Sequence, residues 1–155
     1  MFVTVLDCEG SIEEGGEGLG CMQALAGAIT CSSAAIADAG IECIDLVSAG
    51  IAAAVEKEHG VEMVMDPSPL DGYDIKAAVL VGYMAGRDEL TLVWTKGNLE
   101  VVDEAGKAGE FENVIDKAVE VATQVRAVLN AAVKERVVVA LGAVVEKGKD
   151  VDVEM

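Results

Sequence analysis

The run LVSAGIAAAVEKEHGVEMVM, residues 46–65, decides how this chain folds. Two apolar stretches, 46–55 and 61–65, flank a short polar stretch that ends at Gly60. Short apolar runs rich in Val, Ile and Met and bounded by turn residues read as strands. Lys57-Glu-His-Gly60 then reads as a hairpin turn, which makes the first pairing in the sheet antiparallel. Further along, 77–84 and 90–94 have the same character, with Gly86-Arg-Asp88 as a second turn. In the other direction, Phe2-Val-Thr-Val-Leu6 reads as one more strand.

Two helical patterns frame these strands. Met22, Leu25, Ala26, Ile29, Ser33 and Ile36 fall on one face at a period of 3.6, and Asp38-Ala-Gly40 closes the pattern with a glycine suited to a left-handed cap. Small residues (Ala24, Gly27, Ala28, Ser32, Ala34, Ala35) fill much of the remainder, a composition that suits burial on more than one side. The second pattern runs over 110–136, with a stripe through Phe111, Val114, Ala118, Val121, Ala122, Val125 and Leu129. Residues 147–155 form a polar, loose tail. The order β-α-β-β-β-β-α predicts an α+β fold: a mixed β-sheet with two long helices in a two-layer unit.

Composition narrows the function. A chain of 155 residues with 52% hydrophobic residues and a mean hydropathy of +0.40 can bury one domain core and is not a disordered tail. No uninterrupted apolar run reaches the roughly 18 residues of a membrane span, and Asp7 and Glu9 interrupt any signal-like N-terminus. A soluble intracellular protein with no membrane partner is therefore expected. Cys8, Cys21, Cys31 and Cys43 make no CxxC pair or zinc spacing, so they read as structural thiols of a reducing compartment. The net charge is −17, and no Lys or Arg precedes Lys57. Nucleic-acid affinity rests on cations that neutralise phosphates, so this chain alone is a poor RNA or DNA binder. Any such function needs other chains to bring positive charge.

The sequence offers few sites. EEGGEGLG, residues 13–20, lies where a strand passes into a helix, the usual place of a phosphate cradle. It lacks the lysine of a P-loop, has Cys21 where a dinucleotide fingerprint needs glycine, and carries three glutamates. His59, the sole histidine, sits in a turn without the context of a catalytic triad. Asp66, Asp71 and Asp74 in MDPSPLDGYD admit two readings: a Mg²⁺ or general-acid cluster, or turn formers, the second favoured by their residue types. Trp94 and Lys96 fall short of an RNA-stacking platform. No metal or cofactor is expected.

Taken together, the stretches VTVLD, AIADAGI, DLVSAGIAAAV, VEMVMDPSP, KAAVLVGYM, ELTLVWTKGN and FENVIDKAVEVATQVRAVLNAAVKE resemble the second half of an RNase PH-type domain. They are most similar to the RNase PH-like subunits of the eukaryotic RNA exosome ring. DPSP, VGYMAGRDELT and WTKGN favour the fungal branch of the mRNA-transport-regulator type. The resemblance covers residues 2–136 and implies a fold like domain 2 of ribosomal protein S5. Residues 1–146 are then the second half of the domain, its first half lying outside a truncated chain.

Active members of that family shorten RNA from its 3′ end by phosphorolysis. Their phosphate-binding step falls here on Met22-Gln23-Ala24-Leu25, with Leu25 at the position of the phosphate-binding arginine. Of their two aspartates six apart, Asp66 matches the first and Gly72 stands at the second. The resemblance thus implies a pseudoenzyme: a non-catalytic ring subunit held by other ring subunits and cap proteins. RNA would pass through the assembled channel, with Arg87 and Lys96 as possible RNA-proximal residues. The nucleus, nucleolus and cytoplasm are the implied locations. Two alternatives stay open: an active phosphorolytic nuclease using Asp66, Asp71 and Asp74, and a different inactive ring paralogue.

Overall fold

The computed structural model describes Thr4 and residues 18–57, 60–98 and 109–151, with side chains of the last helix given through residue 139 and at Gly142. The predicted strand 2–6, apart from Thr4, lies outside the described residues, as do the acidic loop to Glu17 and His59. The chain enters helix α1 (Leu19–Asp38). It then runs through β1 (Ser48–Lys57), β2 (Gly60–Met65), a single 3-10 turn (Pro69–Asp71), β3 (Ile75–Met84) and β4 (Glu89–Gly97), and ends in helix α2 (Glu110–Val151).

The four strands form one sheet in the order β2-β1-β3-β4. The hairpin expected at 57–60 is present, with Lys57 opposite Gly60, and the β3–β4 turn closes through Arg87 N–H on Met84 C=O at 3.2 Å. Every pairing among the described strands is antiparallel, where the sequence predicts a mixed sheet. All three pairings join strands through hairpins or a short connection, and none uses a helical crossover.

The helices do not share a layer. Ile51, Ala53, Val55, Ala78 and Leu80 pack with Leu19 and Met22 of α1, whereas Ala52, Ala54, Val79 and Val81 pack with Val114, Ala118 and Ala122 of α2. Alternate residues of a strand point to opposite faces. The helices therefore lie on opposite sides, and the described unit is α/β/α in section rather than two-layered. The cause is legible in β1 and β3, which are apolar at odd and even positions alike, as strands covered on both faces are. Ser48 to Val55 and Ala77 to Gly82 are buried without a break.

The centre of β1 is Gly50 followed by Ile51 and three alanines, and these small residues let α2 approach the sheet backbone. A Cβ on Gly50 would stand 2.2 Å from Ala118 O and 2.5 Å from Ala122 N. At 42 residues α2 is about 63 Å long, nearly twice the ~33 Å of a ten-residue strand, so its C-terminal half runs past the sheet. It continues well beyond residue 136 and takes in 147–151, the start of the expected tail. Ala140, Leu141, Glu146, Lys147 and Lys149 are good helix formers, and they carry the helix through the β-branched run Val137–Val138–Val139.

Helix α1 is buried along one side only, at Leu19, Gly20, Met22 and Ser33, not on several sides as its small residues suggested. By length and composition it is apolar enough to cross a bilayer, with a mean hydropathy of 1.4. Its polar side chains fit it to the sheet instead. Ser33 Oγ accepts from Val47 N–H at 2.8 Å and Thr30 Oγ1 from Ala49 N–H at 3.3 Å. It ends as expected: Gly40 has φ 68°, Ile41 N–H reaches Ile36 C=O and Gly40 N–H reaches Ala37 C=O, a Schellman closure.

Candidate functional site at the start of the first helix

Helix α1 begins at Gly18, whose φ of 90° turns the chain into the helix with no side-chain cap. Its first turns lie over the end of the sheet where β1 finishes and β3 starts. The segment joining β2 to β3 crosses the same face. There Pro67 is fully buried and its carbonyl accepts from Gln23 Nε2 at 2.9 Å. The last residues of β4 complete the rim, because Lys96 lies against Gly18. Between these three elements is a cleft of about 360 Å³, lined by Leu19, Met22, Pro69, Tyr73, Lys76, Lys96 and Gly97 among others. The beginning of α1 and the Asp66–Asp74 segment, far apart in sequence, are thus neighbours, as the resemblance implies.

The chemistry available in the cleft is sparse. Lys76 is committed to Glu110, at 2.8 and 3.2 Å. Lys96 has no ion pair among the described residues. Among the described residues, the lining includes no carboxylate, histidine or thiol, and the only hydroxyl is that of Tyr73. Among them, neither a general base nor a paired nucleophile is positioned in the cleft.

The aspartates serve the turn. Asp71 Oδ2 accepts from Ser68 N–H at 2.9 Å while Ser68 Oγ accepts from Leu70 N–H at 3.1 Å, a reciprocal capping box on the 3-10 turn. Asp74 C=O accepts from Glu56 N–H at 2.9 Å and prolongs the ladder. Asp66 is exposed and adopts φ 47°, a left-handed conformation that Asp tolerates better than most residues. Gly72, where the resemblance would set the family's second aspartate, has φ 69° and closes the turn. Glycine adopts that left-handed conformation without strain.

Leu25 does not face this cleft. It lines a separate apolar groove of about 380 Å³ with Ala28, Ile29, Ile36, Cys43 and Val47. Arg87 and Lys96 are also apart, at opposite ends of β4 and about 25 Å from one another. Arg87 is clamped by Glu89 through two bonds of 2.9 Å, which raise its pKa. The two cations do not make one RNA-facing surface.

Sequence reasoning missed the best-knit polar cluster. Arg126 of α2 binds the Asp45 carboxylate and the Leu46 carbonyl. Asp45 also accepts from Leu46 N–H at 2.7 Å and Gly86 N–H at 2.9 Å. Burial pushes the Asp45 pKa up, but the Gly86, Arg126 and Leu46 bonds outweigh it and hold the group below its ordinary 3.8. The cluster ties the entry to β1, the β3–β4 turn and α2 together. One signal was present: Arg126 interrupts the apolar stripe one turn after Ala122.

No family model matches the chain. Over 98 residues, 63% of this chain, it is 45% identical to exosome complex component MTR3 of Chaetomium thermophilum. Over 80 residues, 50% of the chain, it is 40% identical to exosome complex component mtr3 of Schizosaccharomyces pombe. The matches cover 34% and 30% of those proteins, so the chain spans about a third of the length of the curated relatives it matches. The resemblance drawn from the motifs is borne out: the chain is similar to Mtr3-type exosome components, and its α+β architecture fits that likeness.

Proposed function

We propose that this chain is the second half of an RNase PH-like domain in an Mtr3-type ring subunit of the RNA exosome, and that the subunit builds the ring without cutting RNA. The observation that carries the reading is the state of the phosphate-binding step. At the position of the family's phosphate ligand stands Leu25, turned into an apolar groove, while the neighbouring cleft offers no carboxylate among the described residues. Gly72, held at φ 69°, supports the same conclusion for the missing acid. In this reading the subunit supports 3′-to-5′ processing and degradation by a separate nuclease, in nucleus, nucleolus and cytoplasm. RNA contact is through the assembled channel, where Lys96 remains the better-placed cation.

The partners are other RNase PH-like ring subunits and cap proteins. A net charge of −17 suits basic neighbours. Leu25, Ile41 and Ile44 are 37, 60 and 81% exposed along and after α1. In this reading the first half of the domain covers that apolar face. The test is affinity capture of the tagged chain from fungal extract, followed by native mass spectrometry. Recovery of ring subunits in stoichiometric amounts is expected. Recovery without any of them, or phosphate-dependent release of nucleoside diphosphates by the purified chain, would overturn the reading.

A further inference from the structure

Two buried side-chain atoms find no hydrogen-bond partner among the described residues: Ser48 Oγ and Arg126 Nε. Ser48 is fully buried, and so is most of the Arg126 side chain. Polar atoms in that position are uncommon and costly, so each calls for a partner. The seating of α2 on the sheet brings the two together. Gly50 meets Ala118 and Ala122, and Ser48 lies two residues earlier in β1, on the same face. Two strand residues span about 6.7 Å and four helical residues about 6 Å, so the step from Gly50 to Ser48 matches that from Ala122 to Arg126. Arg126 Nη1 reaches on to the Leu46 carbonyl, and the stem that carries Nε therefore passes Ser48.

We propose that one buried water molecule sits at the junction of Ser48, Arg126 and Asp45 and is part of the fold. The unused hydrogen-bonding capacity of the three residues describes its site. A carboxylate offers about four lone-pair positions. Asp45 fills three of them, with Leu46 N–H and Arg126 Nη2 on Oδ1 and Gly86 N–H on Oδ2. The position left is on Oδ2. Nε–H lies on the same edge of the guanidinium as Nη2, which is already on Asp45, and so points to that side. A water there accepts from Nε–H, donates one proton to Asp45 Oδ2 and donates the other to Ser48 Oγ. Three bonds are the usual complement of a buried water. A direct bond from Nε–H to Oδ2 would serve the arginine but leave the buried Ser48 hydroxyl unpaired, the costlier arrangement. Tyr83, opposite Ser48 in β3, cannot serve it, because its hydroxyl is on Asp88 at 2.6 Å. The inference does not depend on the ring reading.

The test is nuclear magnetic resonance on the isotope-labelled full chain, read at the Arg126 Nε–H proton. A water held longer than the molecule takes to tumble gives a cross-peak whose sign reverses between laboratory-frame and rotating-frame experiments, and proton exchange with bulk solvent shows no reversal. Such a cross-peak is expected in the unsubstituted chain, so the main readout needs no variant to fold. Ser48→Ala removes one of the water's partners and should shift the Arg126 Nε–H resonance and weaken the cross-peak. Thr30→Ala is the control, since Thr30 Oγ1 accepts from the neighbouring Ala49 N–H but lies on α1, across the sheet from Arg126. It should leave both signals unchanged. No cross-peak to water in the unsubstituted chain, a resonance indifferent to Ser48→Ala, or equal shifts from the two substitutions would each overturn the proposal.

Discussion

Gly50→Ala adds one methyl group at the tightest helix–sheet contact in the molecule. The new Cβ would lie 2.2 Å from Ala118 O, 2.5 Å from Ala122 N and 3.0 Å from Val121 Cβ. Two of these are backbone atoms in mid-helix, which cannot rotate aside, so α2 must withdraw from the sheet by about 1 Å to restore van der Waals distance. Val114, Ala118 and Ala122, all fully buried, lose contact as it does so. Overpacking of this kind costs about 1–3 kcal/mol, and the loosened contacts bring the expected loss to about 2–4 kcal/mol. That is a large share of the ~5–15 kcal/mol that holds a domain together. Gly27→Ala is the matched control: Gly27 lies inside α1 with nothing within 4 Å of its would-be Cβ. There the same methyl group should stabilise by about 0.5–1 kcal/mol through helix propensity alone. Urea unfolding followed by far-UV circular dichroism compares the two. If Gly50→Ala lost less than about 0.5 kcal/mol, or the two variants moved together, the close seating of α2 on β1 would be wrong.

Three further outcomes are expected. The depressed pKa of Asp45 adds stability that is complete above its ordinary 3.8 and fades as pH falls through the lower folded value. Asp45→Asn should therefore cost about 1–3 kcal/mol near neutrality and progressively less in acid, read as a urea midpoint against pH; a gap that widened in acid would contradict the Arg126 cluster. Asp71→Ala should cost about 0.5–1 kcal/mol by breaking the capping box, and a variant as stable as the parent would return Asp71 to the pool of unexplained carboxylates. Leu25→Arg should not create phosphorolysis, because residue 25 lines the apolar groove and not the cleft. Phosphate-dependent release of nucleoside diphosphates by that variant would show that one substitution revives the site, against the proposed function.

Much of the sheet was legible because strand signals are local. The 57–60 turn and the apolar runs at 46–55, 77–84 and 90–94 required only local pattern and turn chemistry, and the structure moved their ends by at most three residues. What local pattern could not supply was the assignment of faces. β1 is apolar at every position from Ala49 to Val55, and a run without alternation says that both faces are covered but not by which helix. The answer lay in residue size. Gly50 and the alanines at 52 and 54 meet Ala118 and Ala122, small against small, so α2 takes one face closely and α1 is left to the other.

The candidate site divides along the same line. Leu25 and Gly72 could be judged by what they lack, since neither has a side chain that can pair with an anion or supply a proton. Which groove Leu25 faces depends on the rotation of α1, and that is set by Met22, Ser33 and Gln23 meeting partners far along the chain, such as Leu80, Val47 and Pro67. Those partners also show what holds the loop beside α1. Pro67 is buried, Ser68 and Asp71 cap each other, and Gln23 holds the loop against α1, so the turn stands on contacts that need neither phosphate nor RNA.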